Sequence, residues 1–250
     1  MVSSTLSKLV LPIALLMVSA CAYAAERPNI LILLSDDHSY PYVSCYGSPN
    51  VRTPNLDSLA AEGIKFHRYF TAAPQCVPAR AALMTGRSPV AARMTRFTSP
   101  LPHDEVTLPE LLRDQAGYYT GVCGRSFHLD GPGNRNGEAI GDLLSKHNLR
   151  TFSERVDFLK PGPDTEVATL VSEFLDKRPA DKPFFMWANF SDPHHVWNAD
   201  TVFRPDPKSL VLPPQFPDLP GMREQFADYC AEINRLDVSV SRVIDVLKQR

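Results

Sequence analysis

Two apolar runs constrain this chain more than anything else in it. Ile30-Leu31-Ile32-Leu33-Leu34 stops at Ser35-Asp36-Asp37-His38, and Phe184 to Phe190 stops at Ser191-Asp192-Pro193-His194-His195. A run that is continuous rather than alternating suits a parallel strand buried on both faces, because neither face can be given to water. In open α/β sheets the ligand site lies beyond the carboxyl ends of such strands, so chemistry is expected where the polar residues gather.

Helical patterns separate the runs. Thr53-Pro54 followed by Leu56, Leu59 and Ala60, then Gly63, reads as a helix with proline at its first position and glycine at its stop. Pro109 to Gln115 reads as a second, leading through Gly117 to a short strand over Tyr119 to Cys123. Val167, Leu170, Val171, Phe174 and Leu175 give the clearest helical period. Strand alternating with helix predicts an α/β fold, a layered α/β/α sandwich around a mostly parallel sheet. Asp130 to Gly137, and Phe203 to Pro220 with its six prolines, read as irregular segments of the kind that often cover a site. Phe226, Tyr229, Ile233, Leu236, Val240, Val243, Ile244 and Leu247 trace a final amphipathic helix up to Arg250, with no glycine stop, strand or polar tail after it. The sequence therefore reads as cut rather than finished.

At 44% hydrophobic residues the chain can build a proper core, and 26 basic against 28 acidic residues give no sign of nucleic acid as a partner. Lys8 precedes the apolar run Leu9 to Val18 and an Ala22-Tyr23-Ala24 site, so residues 1–24 read as an export signal and 25–250 as the folded domain. That run is below the roughly 20 residues a membrane-spanning helix needs. Val18-Ser19-Ala20-Cys21 also fits a lipobox, which leaves two routes open: plain cleavage, or a lipid anchor at Cys21. Either route takes the protein out of the cytoplasm, to the periplasm or beyond. Of the cysteines left after residue 24, the spacing of Cys45, Cys76, Cys123 and Cys230 fits no zinc site and no dense disulfide framework. Cys45, Cys123 and Cys230 are expected to be structural.

Cys76-Val77-Pro78-Ala79-Arg80 runs into Ala81-Ala82-Leu83-Met84-Thr85-Gly86-Arg87, a short helix closed by Gly86. Cys76 at its N-terminus would meet backbone N–H groups and the positive end of the helix dipole, which favour an anion there, a thiolate or a bound sulfate ester. Arg80 adds a permanent charge one turn in. Cys-x-Pro-x-Arg alone is short enough to recur by chance as a structural cysteine before an ordinary helix. Asp36 and Asp37 are hard oxygen donors, yet neighbours on a strand diverge, so they can serve one metal only if the strand has already broken.

Read with its extension to Thr85-Gly86-Arg87, the Cys76 block resembles the signature of the formylglycine-dependent sulfatases, members of the alkaline phosphatase superfamily. Arg27-Pro28-Asn29-Ile30 to Asp36-Asp37, Thr53-Pro54-Asn55-Leu56-Asp57 and Gly63-x-x-Phe66 match the opening blocks of that family in order. The resemblance is dense to Arg87 and thinner to Arg250. It implies oxidation of Cys76 to formylglycine by a formylglycine-generating enzyme, with the hydrated aldehyde attacking sulfur and its second hydroxyl helping to expel sulfate. It implies calcium, or magnesium, held by Asp36, Asp37 and residue 76. Arg125 and His128, in Gly124-Arg125-Ser126-Phe127-His128-Leu129, fall where the family usually carries Gly-Lys-x-His or Gly-Lys-x-x-His. Arginine there can neutralise charge on sulfate but cannot relay a proton as lysine does. His194 matches the Asp-Pro-His block and is implied to bind sulfate or protonate the leaving oxygen. Asp192 is the weaker candidate, and His195 matches no family role.

Complete members are longer, and a later Asp followed by Asn or His, then another lysine, finishes their metal site. No such block follows Leu247, so an incomplete site is expected of this chain. The leading reading is hydrolysis of a sulfate ester or sulfamate on sulfated carbohydrate or a similar small substrate. Two rivals stand beside it: a phosphodiesterase or phosphonate hydrolase of the same superfamily, and a non-catalytic protein that binds sulfated glycans.

Overall fold

A computed structural model describes residues 27–250 apart from 98–99, 126–127, 131–133, 136–137 and 148–149. The export signal, the Cys21 lipobox and part of the 130–137 segment lie outside the described residues. In chain order, β1 (Ile30–Leu34) is followed by helices α1 (Pro54–Glu62), α2 (Cys76–Thr85) and α3 (Leu108–Ala116), then β2 (Tyr119–Gly124). A small antiparallel pair, β3 (Asn134–Arg135) and β4 (Glu138–Ala139), leads to α4 (Ile140–Lys146), β5 (Phe158–Pro161) and α5 (Val167–Lys177). The chain closes with β6 (Phe184–Asn189) and the long α6 (Met222–Lys248).

The main sheet runs β1-β6-β2-β5 and every pairing in it is parallel. Because strand side chains alternate, each strand feeds two cores. Ile30, Ile32, Leu34, Phe185 and Trp187 point to the side packed by Val77, Met84 and Leu112 of α2 and α3. Leu31, Leu33, Phe184, Met186 and Ala188 point to the other, with Leu170 and Phe174 of α5 and Leu236 and Val240 of α6. The result is the expected three-layer α/β/α sandwich.

Local chemistry explains the helix ends. Thr107 and Glu110 form a reciprocal capping box at the start of α3, Pro109 sits in its first turn, and Gly117 closes it at φ 70°. Gly86 closes α2 at φ 65°, its N–H donating to Ala82 O.

Two expectations change. β6 is buried along its whole length, but β1 is only half-buried at every position, because among the described residues it is an edge strand of the sheet rather than an interior one. The 203–220 segment is irregular as expected apart from a 3-10 turn at Pro207–Ser209, and none of its residues lines the cavity beside Cys76. Asn50 holds Val211 through both its N–H and its C=O, and Arg223 donates to Leu210 O, which straps the segment across α6. β5, α4 and the small hairpin have no clear sequence pattern; Phe-Leu-Lys-Pro is short, and its lysine and proline fit only an edge strand.

Gly124 ends β2 at φ 84°, and a Cβ there would lie 2.1 Å from Asn189 O. Gly47 has a similar φ of 90° with nothing within 4 Å of a Cβ. Gly124→Ala is therefore expected to cost about 2–4 kcal/mol, against about 1 kcal/mol for Gly47→Ala. Urea unfolding midpoints of the two variants check the difference, and equal shifts would contradict it.

Candidate active site

The site forms where the β1 and β6 ends are joined. Phe190 N–H donates to Leu34 O at 2.8 Å, and Asp36 N–H donates to Asp192 O at 3.2 Å, so the two polar turns leave the sheet together. The strand has broken by then, since Asp37 adopts the left-handed region at φ 55°. Asp36 turns inward to 4% exposure while the Asp37 side chain stays 60% exposed. His38 is half-buried in the same turn, its Nε2 2.8 Å from Tyr42 O, and burial lowers its pKa.

Cys76 is the first residue of α2 and lines an open cavity of about 840 Å³ with Asp36, Asp37, His38 and Arg80. Here the sequence expectation of a favoured thiolate does not hold. Burial pushes the Cys76 thiol above its usual value, the Asp36 carboxylate adds to this, and the Val77 N–H and Arg80 offset only part of it. The helix N-terminus is outweighed chiefly by burial, with Asp36 and, less, Asp37 adding to it.

Arg80 is 3% exposed and held from three sides. Its Nη1 donates to Asn189 Oδ1 at 2.5 Å, its guanidinium lies 5.7 Å from the Trp187 ring centroid, and its Nη2 is 3.5 Å from Asp36 Oδ2. Arg125 brings Nε to 2.9 Å from the same Asp36 oxygen. His128, at φ 58°, lies close enough to feel Arg80, Arg125, Asp36 and His194; burial and the two guanidiniums lower its pKa. His194 Nε2 is 3.5 Å from Asp37 Oδ2. The structure thus draws Asp36, Asp37, Cys76, Arg80, Arg125, His128 and His194 into one neighbourhood. Ser126 and Phe127, between two of them, lie outside the described residues. Arg87 faces elsewhere, paired with Glu105 at 2.8 Å, and exposed His195 packs edge-on against Trp197.

Cys45, Cys123 and Cys230 form no disulfide; Cys123 and Cys230 are buried, as structural cysteines should be, and burial alone pushes both thiols up to about 12. Asn189 escaped sequence reasoning although a polar residue inside an apolar strand was a usable signal. Its Nδ2 donates to Cys123 O and Trp187 O, which turns its Oδ1 toward Arg80. Asp164, which accepts from Ser191 N–H and Asp192 N–H, carried no signal at all.

Asp36 Oδ2, Arg80 Nη2 and Arg125 Nε are all buried without a hydrogen bond, since their ion-pair approaches lack hydrogen-bond geometry. A buried carboxylate oxygen with no hydrogen bond, beside an exposed second carboxylate, fits one side of a hard-cation shell. Two guanidiniums that meet that oxygen as ion pairs without hydrogen bonds fit a bound oxyanion. The fit is partial: among the described residues no three His, Cys, Asp or Glu side chains are grouped to hold an ion.

A family model described as Sulfatase matches residues 28–250. Human steryl-sulfatase is 41% identical over 137 residues, covering 50% of this chain and 23% of that protein. The N-acetylglucosamine-6-O-sulfatase of Bacteroides thetaiotaomicron is 32% identical over 203 residues, covering 76% of this chain and 36% of that protein. A solved structure in complex with its substrate D-glucosamine-2-N,6-O-disulfate superimposes with a TM-score of 0.68 at 19% identity, over 90% of this chain and 63% of that one; at this identity the likeness concerns the fold. The chain spans less than two thirds of each.

Because the Cys76 thiol is raised, its alkylation by iodoacetamide at pH 7 is expected to be slower than that of an unstructured cysteine peptide. The rate should still be climbing above pH 9, the ordinary thiol value. Asp36→Asn should lower the inflection, since Asp36 is the second cause of the shift. Alkylation rates followed by peptide mass across pH check this, and an unchanged inflection in Asp36→Asn would contradict it.

Proposed function

The chain belongs to the sulfatase family, and on that premise we propose that it hydrolyses sulfate esters or sulfamates on sulfated carbohydrate, with a formylglycine made from Cys76 as nucleophile. One observation carries the reading. Cys76 opens a helix at the wall of an accessible cavity that Asp36 and Arg80 also line, and there one buried carboxylate oxygen is ion-paired to Arg80 and Arg125 without a hydrogen bond to either. An oxyanion is a ligand that two such guanidiniums would bind, and the substrate's sulfate would supply one.

Each side chain then has a task. Arg80, fixed by Asn189 and Trp187, and Arg125 bind sulfate oxygens and neutralise the charge that builds on them. His128 is held neutral above its lowered pKa, which suits it to accept or hold a proton at the nucleophile. His194, 3.5 Å from Asp37, would give a proton to the leaving oxygen. The hydrated aldehyde at position 76 would supply the attacking hydroxyl and a second one for release of sulfate. Asp36 and Asp37 would hold a divalent cation, calcium or else magnesium, which lowers the pKa of that hydroxyl.

Maturation would require a formylglycine-generating enzyme, and export to the periplasm or beyond is part of the same reading, with a lipid anchor at Cys21 as its variant. No helix among the described residues is long and apolar enough to cross a membrane. The named relatives act on different sulfated compounds, a steroid and an amino sugar by their names, so the sugar and linkage are to be found by assay.

Mass analysis of the tryptic peptide Tyr69 to Arg80 from protein matured in its native host should find aldehyde in place of thiol. Turnover of an aryl sulfate should exceed that of an aryl phosphodiester; the reverse order would favour a phosphodiesterase, and glycan binding without sulfate release a non-catalytic role. Cys76→Ala should lower sulfate release by more than about a thousandfold. Removal of the cation by a chelator should abolish turnover, with recovery on adding calcium, and indifference to chelation would exclude the metal from the reading.

A further inference from the structure

The loop after β6 carries His194 and is fastened at both ends by residues one turn apart on α6. At its start, Arg235 donates from Nε and Nη2 to the two carboxylate oxygens of Asp192 at 2.8 and 2.7 Å. At its end, Glu232 Oε1 accepts from the N–H groups of Asn198 and Ala199, each at 2.7 Å, and Arg235 Nη1 donates to Asn198 Oδ1 at 3.0 Å. Arg235 and Glu232 are themselves paired at 2.7 Å.

This is not an incidental surface pair. The Asp192 and Glu232 side chains are 3% and 2% exposed, and two carboxylates are brought into the interior only where a cation and good geometry offset their desolvation. The anchored residue is also the joint between the two halves of the site. Asp192 C=O accepts the Asp36 N–H, and His194 N–H donates back to Ser191 O at 2.8 Å. Trp197 stiffens the same loop by donating from Nε1 to Pro193 O at 3.0 Å.

We propose that Arg235, supported by Glu232, is a positioning residue for the reaction: by fixing Asp192 it registers His194 against the Asp36–Asp37 turn, although it meets no substrate itself. The inference rests on the role given to His194 above. A merely structural clamp would change stability when cut and leave the turnover of folded protein alone. A positioning clamp changes kcat, because an ångström of displacement in a proton donor is costly while binding of sulfate by Arg80 and Arg125 is untouched.

The test compares wild type, Arg235→Met and Arg235→Lys, all carrying the aldehyde, by steady-state kinetics on an aryl sulfate. In parallel, the imidazole NMR signal of His194 is followed in 13C-histidine-labelled protein, assigned through His194→Asn. Arg235→Met is expected to lower kcat about tenfold to a hundredfold with KM within about twofold, and to shift or broaden the His194 signal. Arg235→Lys should recover part of the loss, since an ammonium keeps the charge but cannot make both parallel bonds. Unchanged kcat in folded Arg235→Met, or a loss of kcat with the His194 signal unmoved, would overturn the proposal. If Arg235→Met fails to fold, Arg235→Lys and Glu232→Gln bear the comparison, and wild-type kcat in both overturns it. A wild type that releases no sulfate would defeat the functional reading instead, while the His194 signal still reports on the clamp.

Discussion

Asp36 between Arg80 and Arg125 is the interaction on which the site depends. A carboxylate at 4% exposure and a guanidinium at 3% are each expensive to take from water, and they are tolerable only together. Their pairing is nevertheless unfinished, because the approaches of both guanidiniums to the Asp36 oxygen lack hydrogen-bond geometry. Two guanidiniums share that one buried oxygen, while the second carboxylate, Asp37, stays exposed. A ligand bearing several acceptor oxygens completes such a cluster better than any rearrangement of the side chains, which is a physical reason for a tetrahedral oxyanion to bind here.

The rest of the fold keeps that cluster in register. β6 carries Trp187 and Asn189, which grip Arg80 from below, and its turn meets the β1 turn through the Asp36 N–H. On the other face α6 works as a brace. Asp237, 1% exposed, accepts from Asn55 N–H, Asn55 Nδ2 and Leu56 N–H at the start of α1, while Glu232 and Arg235 hold the His194 loop. One helix thereby fastens the start of α1 and the His194 loop, which lie some 140 residues apart in the chain, about the separation of Asn55 from Asp192.

What could be read in the sequence was what depends on local rules. The apolar runs of β1 and β6, the proline and glycine that bound α2, and the period of α5 all follow from the residues themselves, and the site lay at the strand ends as open α/β sheets require. The family pattern put Asp36, Asp37, Cys76, Arg80, Arg125, His128 and His194 on one list, and the fold brings them to one place. What escaped depends on partners far along the chain. Asp164 and Arg235 look like ordinary surface charge until β6 turns toward them. Glu232 sits on a helix whose apolar face gives no hint that a carboxylate is buried in it. Half-burial of β1 was illegible for the same reason, since a strand's place in the sheet order is set by its neighbours and not by its own residues.

The raised thiol of Cys76 bears on why the proposed nucleophile would need a cation. Helix N-termini favour negative charge, but the gain is modest and confined to the first turn. Burial of the thiol opposes it first, the Asp36 carboxylate next and Asp37 less, and together they win. An oxyanion at position 76 would meet the same two carboxylates and the same resistance. On the proposed reading, a divalent cation held by those carboxylates would reverse the sign of the local field, so groups that hinder ionisation of residue 76 when bare would promote it when loaded. The acidic pair and residue 76 would then act as one device, in which Arg80, already committed to Asp36 and Asn189, would not replace the cation.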